Sequence, residues 1–401
     1  TYQVTVKNTE FGMRLGIAFV CMSACLLFSS HSVLAEPSFS KDLTQAQAVT
    51  KSPSFTVKRL VSGLDQPWSV AWLPNGDLLI TERTGQLLRV ASDFKSAPVA
   101  ISGFPDTIAV DGQGGLLDVA VHPNHRANQL IYLSYSEGAQ AGWLSESGTV
   151  LARARLNANT LSDFKVIFRM KPASRGGRHF GGRIVFARDG TVFLTLGDRG
   201  SEERAQKNND HAGSVIRLHD DGRIPADNPF VSNKAYLPES FSRGNRNIQG
   251  AALHPVTGEL WTHEHGPQGG DEINIIRPGR NYGWPTITYG VNYVTGTRIG
   301  EGVRKAGLEQ PLHVWVPSIA PSGLAFYTGP HFAAWTNSLF LGALRGQALV
   351  RLELRDSKVI KEERLLVGEV GRVRDVRQGP DGYLYLLTES SDAGLLRIES
   401  K

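Results

Sequence analysis

The chain has 401 residues, of which 41% are hydrophobic and 20% charged, with a formal net charge of +5. This is enough apolar material for a sizeable core. The basic residues are scattered and form no stripe with interleaved aromatics, which excludes a nucleic-acid-binding surface. The 43 glycines and 20 prolines, without a long apolar period, indicate many tight turns and hence an all-β chain.

The first residues resemble a secretory signal. A short basic segment begins at Met13, an apolar stretch runs from Ile17 to Phe28, and small residues lead to Ala35. We therefore assign residues 1–35 to a signal peptide with upstream residues and expect a periplasmic or secreted protein. A retained membrane helix and a lipoprotein box at 22–25 are the alternatives. The apolar stretch is shorter than the roughly 20 residues that a membrane span needs.

The segment after the signal predicts where the folded domain begins. Residues 36–54 are polar and lack periodicity, which predicts a flexible lead-in. Residues 55–401 contain no comparable linker and are predicted to form one domain. Both cysteines, Cys21 and Cys25, lie inside the signal. The mature chain therefore has no disulfide, and cysteine catalysis and zinc–thiolate sites are excluded for it.

A loose repeat runs through the predicted domain. Each unit is a turn rich in Pro, Asn, Asp or Gly, followed by a short run of β-type residues. The turns lie at 73–77, 122–124, 187–190, 254–258, 328–330 and 379–382. Their separation of roughly 50 to 70 residues is that of propeller blades with their loops. The repeat predicts a six-bladed β-propeller of four-stranded antiparallel blades; the alternative is a β-sandwich with long insertions.

Polar, glycine-rich segments between these runs are the candidate functional loops, because function concentrates in loops on a rigid scaffold. His179 lies among glycines and arginines just before a predicted strand. Nearby positive charge favours a neutral imidazole, which can act as a base near neutral pH. Arg246 and Asn247 stand in tandem and offer donors to an oxyanion or a quinone oxygen. A solvated turn is the alternative for that segment.

Two further segments carry oxygen ligands and paired cations. Segment 264–272 exposes backbone carbonyls and contains adjacent acids, and calcium prefers about six to eight oxygen ligands, carbonyls included. Its histidines lack the spacing of a zinc helix motif. Arg372 and Arg374 alternate along a predicted strand and so share a face. Such a pair suits carboxylate binding, with a solvated surface as the alternative.

Seven different sequence motifs follow one another along nearly the whole predicted domain. They are GQGGLLDVAVHP (112–123), RHFGGRIVF (178–186), DGRIPADNPF (221–230), RGNRNIQG (243–250), EHGPQGGDEINII (264–276), GRNYGWP (279–285) and RVRDVRQGPDGYLYLLT (372–388). Together they resemble the soluble quinoprotein sugar dehydrogenases, and within them the aldose sugar dehydrogenase branch. The resemblance implies oxidation of the anomeric carbon of aldoses to lactones. It also implies two cofactors, pyrroloquinoline quinone (PQQ) and Ca²⁺.

The resemblance also assigns roles to residues of this chain. His179 matches the general base that takes the proton of the anomeric hydroxyl. Arg246 matches the residue that polarises the quinone oxygen. Gln113 and Asn247 match contacts to the cofactor or substrate. Arg372 and Arg374 match the pair that binds the cofactor's carboxylates, and Tyr293 matches the wall of the cofactor pocket. Arg345 matches a further cofactor-binding position. Where Arg345 stands the family usually has lysine, so the charge is kept but the compact ammonium is not.

The resemblance implies two calcium sites. The carbonyls of Gly266 and Pro267 match ligands of the ion beside the quinone, which acts as a Lewis acid. Glu272 and the carbonyl of Tyr282 match a second, structural site. The loops near the site look shorter than those of the glucose-specialised branch, from which we expect an open pocket and broad substrate use.

Two rival functions remain compatible with a six-bladed propeller. One is a calcium-dependent sugar lactonase, and the other is a non-catalytic extracellular binding module. For the dehydrogenase we expect an aldose substrate, an unidentified electron acceptor, no stable membrane insertion after processing, and a monomer or homodimer.

Overall fold

The structure, a computed structural model, describes residues 54–138, 146–389 and 393–401. The predicted signal peptide, both cysteines and the lead-in up to residue 53 lie outside the described residues. The described chain forms six antiparallel sheets that follow one another in sequence. The predicted six-bladed β-propeller is therefore confirmed.

In the first three blades the earliest strand in sequence lies innermost, beside the central channel of the propeller. Blade 1 has β2 (Pro67–Trp72), β3 (Leu78–Glu82), β4 (Gln86–Val90) and β5 (Val99–Ala100). Blade 2 has β6 (Leu116–Val121), β7 (Leu130–Gly138) and β8 (Glu146–Asn157), with both β9 (Thr160–Arg169) and β10 (Ser174–Arg175) paired to β8. Blade 3 has β11 (Ile184–Phe186), β12 (Val192–Thr195), β13 (Val215–Leu218) and β14 (Ser240–Ser242). Blade 2 thus exceeds the predicted four strands.

The last three blades have four strands each. Blade 4 has β15 (Ile248–Leu253), β16 (Leu260–Glu264), β17 (Asp271–Ile276) and β18 (His313–Trp315). Blade 5 has β19 (Pro321–Phe326), β20 (Ser338–Ala343), β21 (Ala348–Arg355) and β22 (Lys358–Leu365). Blade 6 has β23 (Arg372–Gln378), β24 (Leu384–Glu389), β25 (Ala393–Ser400) and, outermost, β1 (Phe55–Leu64).

Helical structure is confined to short pieces in the described residues. These are one helix, α1 (His125–Asn128), and the 3₁₀ helices Glu202–Gln206 and Ala333–Trp335. Within the same residues, none of the helices has the length and apolar character that crossing a membrane requires.

Each of the six predicted turns joins the first and second strand of a blade. The turn at 73–77 lies between β2 and β3, and the turn at 379–382 lies between β23 and β24. Gly76 and Gly382 occupy these turns with φ of +92° and +82°, a region that side chains disfavour. The repeat therefore arises because every blade reverses its chain at the same place.

The six largest hydrophobic clusters of the described core lie one between each pair of neighbouring blades. Alternate residues of a strand face opposite neighbours. On β3, Leu79 packs in a cluster with Ile131 of blade 2, whereas Ile80 packs in a cluster with Leu395 of blade 6. The sheets are thus buried on both faces, which explains their nearly continuous apolar runs.

At least one polar contact also crosses each of the six blade junctions near the channel. These hydrogen bonds run from Ser69 Oγ to Asp118 Oδ1, Ile184 N to Asp118 Oδ2, Arg183 Nε to the Gln249 carbonyl, His263 Nε2 to the Gly323 carbonyl, Ser322 Oγ to the Arg374 carbonyl and Val70 N to Asp375 Oδ2. We call this set the channel ring. Because the groups are buried, each unmade bond would leave an unsatisfied polar atom.

Blade 6 closes the propeller by combining the two ends of the described chain. β1 pairs antiparallel with β25, from Phe55 opposite Ser400 to Leu64 opposite Ala393. The edge of β25 is thereby covered by a strand more than three hundred positions earlier in the sequence.

Candidate active site

The candidate site lies at the end of the channel where the inner strands begin. Five of the six inner strands, β2, β6, β15, β19 and β23, have a register irregularity near this end. Such bulges re-aim side chains and are frequent beside active sites. Residues before or at the start of each inner strand therefore converge on the channel mouth.

His179 is held by a buried chain of hydrogen bonds. Its Nδ1 donates to Asp198 Oδ1 over 2.6 Å, and the other oxygen of Asp198 accepts from Trp284 Nε1 over 2.7 Å. The backbone of His179 adopts φ of +51° and donates to the Gln113 side-chain oxygen. A Cβ atom at Gly197 would overlap the His179 carbonyl, so glycine is needed there.

The environment keeps His179 neutral. Burial lowers the pKa of His179 below its ordinary range, and the nearby Arg246 adds to this effect, whereas the hydrogen bond to Asp198 opposes it. We predicted from the sequence that nearby positive charge keeps the imidazole neutral, but burial is the larger cause of its lowered pKa. Because Asp198 holds the Nδ1 proton, Nε2 is the nitrogen that can accept a proton.

Arg246 lies beside this histidine and is buried. Its Nη1 donates to the carbonyls of His265 and Gly266, at 3.1 and 2.8 Å. Its guanidinium carbon lies 5.4 Å from the centre of the Trp284 ring. A buried guanidinium fixed in this way is a preorganised donor for an oxygen that gains negative charge.

A first cavity of about 240 Å³, the channel cavity, opens at the channel mouth. Its apolar walls include Trp68, Leu117, Phe180 and Leu344. Its polar lining residues include Arg83, Gln113, Asn247, Gln249, Arg372, Arg374 and Glu389. The cavity thus combines flat apolar walls with guanidinium groups, which suits a planar ligand that carries carboxylates.

The predicted arginine pair faces the channel cavity, but it is not free. Arg374 donates to Glu389 through Nε at 2.8 Å and also through Nη2, and Arg372 lies 3.7 Å from the same carboxylate. Glu389 is the cross-strand neighbour of Arg372. The pair is thus oriented by an acid that the sequence did not single out.

A second cavity of about 340 Å³, the His179 cavity, adjoins the first. It is lined by His179, Arg246, Trp284, Tyr293 and eight further residues: Gln113, Arg178, Asp198, Gly200, Glu202, Pro267, Asn292 and Ile299. A ligand in the His179 cavity would therefore contact the imidazole, and Gln113 forms part of the wall of both cavities.

A third, small cavity of about 10 Å³ lies among buried acids, and we call it the acidic cavity. Glu264 and Glu272 are directly opposite each other on β16 and β17 and both line it. Burial raises the pKa of Glu264 to about 7. The pKa of Glu272 is also raised, mainly by burial and to a smaller extent by the charge of Glu264. Asn274 Oδ1 is buried nearby without a hydrogen-bond partner among the described residues.

This chemistry fits a hard cation. Two facing carboxylates and an unpaired amide oxygen are the ligand types that calcium prefers, and a cation would remove the repulsion between the acids. Gly266 and Tyr282 also line the acidic cavity, whereas Pro267 lines the His179 cavity. In the described residues no three His, Cys, Asp or Glu side chains converge as metal ligands. Backbone carbonyls would therefore have to complete the coordination.

The structure brings most of the predicted residues together. His179, Arg246 and Tyr293 line the His179 cavity; Asn247, Arg372 and Arg374 line the channel cavity. Tyr293 was expected at the wall of the cofactor pocket but lies on the His179 side. Arg345 lines neither cavity, because it lies exposed in the turn between β20 and β21.

Four contributing residues were not predicted from the sequence. They are Asp198, Trp284, Glu264 and Glu389. The only signal for Asp198 was its position between two glycines, 197 and 200, at the end of a β-run. Glu389 carries no local signal, since it becomes relevant only by pairing with the next strand.

The chain is similar to known sugar dehydrogenases in both sequence and structure. Aldose sugar dehydrogenase YliI of Escherichia coli is 43% identical over 351 residues, covering 86% of this chain and 93% of that protein. A crystal structure of a glucose dehydrogenase superposes with a TM-score of 0.82 at 47% identity, covering 85% of this chain and 99% of that one. These are sugar dehydrogenases built on the fold described above.

The particular family follows from a model described as glucose / sorbosone dehydrogenase, which matches residues 64–397. The chain belongs to this family, and the predicted family and enzyme class are confirmed. A PQQ-bound aldose sugar dehydrogenase from Streptomyces coelicolor superposes with a TM-score of 0.71 at 27% identity, covering 87% of this chain and 99% of that one.

Proposed function

We propose that the protein oxidises the anomeric carbon of aldoses to lactones, using PQQ with calcium bound beside it. The observation that carries the proposal is the junction of two cavities at Gln113. One cavity presents the neutral, buried His179, and the other presents Arg372 and Arg374. A sugar and a carboxylate-bearing cofactor would therefore meet at this junction.

The residues of the channel cavity suit PQQ, which is flat and carries three carboxylates. Trp68 and Phe180 offer ring faces, and Arg372 and Arg374 offer cationic donors. The Gly266 carbonyl already accepts a hydrogen bond from the cation Arg246, which supports a cation-binding role for that carbonyl. When bound, PQQ supplies a two-electron acceptor and calcium supplies a Lewis acid.

The chain's own residues handle the proton. We expect His179 Nε2 to accept the proton of the anomeric hydroxyl while the C1 hydrogen leaves as hydride, with both electrons of its bond, to the two-electron acceptor that bound PQQ would supply. The C1–O bond thereby becomes the lactone carbonyl. Asp198 holds the Nδ1 proton and stabilises the resulting imidazolium. Arg246 is aimed at the same region and stabilises negative charge that develops there.

Reconstitution tests the proposal. The chain from Glu36 is mixed with calcium and PQQ, then with an aldose and a redox dye, and the cofactor spectrum is followed together with dye reduction. We expect sugar-dependent dye reduction that requires both additions. Mixtures that lack calcium or PQQ are the controls. If the protein binds no quinone under any of these conditions, the proposal is wrong and lactone hydrolysis without quinone becomes the next assay.

A further inference from the structure

Two charged side chains in the His179 cavity have no role in the mechanism above. Arg178 precedes the catalytic histidine, and Glu202 begins the 3₁₀ helix after β12. Both line the cavity and both are exposed. The aliphatic stem of Arg178 lies 3.7 Å from the place where a Cβ of Gly200 would be, which puts it beside the segment that leads to Glu202.

The other charged groups of this cavity are already engaged. Asp198 bonds to His179 and Trp284, and Arg246 bonds to backbone carbonyls. By contrast, neither Arg178 nor Glu202 has a side-chain hydrogen bond or ion pair with any described residue. The two also do not pair with each other, although their charges are opposite. They therefore present an unused donor and an unused acceptor to whatever enters the cavity.

A sugar is the ligand that uses both kinds of group. Its hydroxyls donate to a carboxylate and accept from a guanidinium, and bonds to charged groups are stronger than bonds between neutral ones. Because the two charges cancel, a neutral sugar gains both contacts without a net electrostatic cost. A sugar with its own charge is attracted by one residue and repelled by the other.

We propose that Arg178 and Glu202 each bind hydroxyls of a neutral aldose at the mouth of the His179 cavity and together set the discrimination between neutral and charged sugars. This inference rests on the proposed function, since it assigns the substrate class of the same site. The site would then contain residues that bind the sugar, as well as the proton acceptor and the cavity for the cofactor.

The test uses the reconstituted holoenzyme and the variants Arg178→Gln and Glu202→Gln. For a neutral aldose, KM is expected to rise roughly fivefold in each variant while kcat stays within twofold, because the contacts are equal in ground and transition states. Arg175→Gln and Glu203→Gln are matched controls, since both residues are exposed neighbours that do not line the cavity.

Charged sugars distinguish a binding role from a structural one, because a structural role would not change KM in opposite directions for sugars of opposite charge. Relative to the neutral aldose, Glu202→Gln is expected to lower KM for a hexuronate roughly fivefold and Arg178→Gln to raise it, with the opposite pattern for a hexosamine. Both shifts are expected to shrink at high ionic strength. Variants that behave like their matched controls with all three sugars would overturn the inference while leaving wild-type turnover, and hence the proposed function, intact.

A series of monodeoxy aldoses locates the contacts. A sugar that lacks the hydroxyl bound by Glu202 should lose affinity in the wild type and in Glu203→Gln but show no further loss in Glu202→Gln. Strictly additive losses for every deoxy position would contradict a direct contact. If the wild type oxidises no aldose at all, the proposed function itself fails, which is a different result from either of these.

Discussion

The imidazole of His179 is fixed at one nitrogen by Asp198, whose second oxygen is fixed in turn by the Trp284 indole. Orientation and tautomer are thus set before a substrate arrives. Burial disfavours the charged imidazolium in the resting site, whereas Asp198 stabilises it once a proton has been accepted. This balance suits a group that must be free to accept a proton at neutral pH.

Replacing the proton acceptor tests its role. His179→Gln is expected to lower kcat by roughly 100-fold or more, as loss of a general base usually does, with quinone binding retained. Single-turnover reduction of the bound cofactor measures this step. His331→Gln, on the turn between β19 and β20, is the control and should turn over like the wild type. A His179→Gln rate within a few-fold of wild type would rule out this residue as the base.

The pH profile tests the surroundings of the same residue. Because the pKa of His179 lies below its ordinary range, the basic form should persist, and kcat/KM should stay high below the usual histidine pKa of about 6.5. Asp198→Asn removes the charge that favours the imidazolium. We expect kcat to fall and the acid limb of kcat/KM to move to still lower pH; a limb that moves upward would contradict the assignment.

Local sequence singled out individual residues where the neighbours were unusual, and their roles stay predictions. His179 was predicted because glycines and arginines surround it, and Arg246 because Asn247 follows it. Asp198 was missed, since it reaches His179 only when two consecutive segments of blade 3 fold against each other. Arg345 was placed in the site by resemblance; in the structure it is exposed and lines neither cavity.

At the level of strands and loops, β16 and β17 create the acidic cavity. Their register sets Glu264 opposite Glu272, an arrangement that is unfavourable for like charges without a cation. The family resemblance implied calcium at Glu272, but it did not single out the facing acid, because cross-strand register is not visible in a single segment.

Chelation tests the cation site. Removing calcium from the wild type is expected to lower the melting temperature by a few degrees, because a ligand that binds the folded state stabilises it by linkage. Glu272→Gln should melt at nearly the same temperature with and without chelator. The measurement is a pair of melting curves for each protein, with Glu369→Gln, an exposed acid, as control. A wild-type curve unchanged by excess chelator would exclude the site.

Turns were the best predicted elements, and strand irregularities the worst. A Pro/Asn/Asp/Gly turn is encoded in four or five adjacent residues, so the six repeats were visible. The bulges of the inner strands and the extra strand of blade 2 depend on partners in other strands. These are the features that aim side chains into the channel mouth, so the site's detailed geometry was not accessible from sequence.

Across the whole molecule, the channel ring joins all six blades. Asp118 alone receives bonds from Ser69 of blade 1 and from the Ile184 amide of blade 3, and Arg377 of blade 6 lies 3.1 Å from it. A buried acid with three partners in three blades is a structural hub rather than a catalytic group, because it lines none of the cavities described here.

Removing this hub should cost stability. Asp118→Asn is expected to destabilise the protein by about 3 kcal/mol, since it leaves the partners of a buried charge uncompensated. Asp163→Asn breaks the exposed ion pair with Arg155 and should cost at most about 1 kcal/mol. Denaturant unfolding compares the two variants. Equal stability losses would show that the channel ring contributes no more than a surface contact.

The pairing of β1 with β25 fixes the order in which the propeller can be completed. The first five blades each take their strands from one continuous stretch of the sequence, whereas blade 6 combines β1 with β23, β24 and β25. Blade 6 is therefore complete only once Phe55 lies opposite Ser400. A chain truncated before β25 would lack the strand that joins β1 to β24 and could not close the ring.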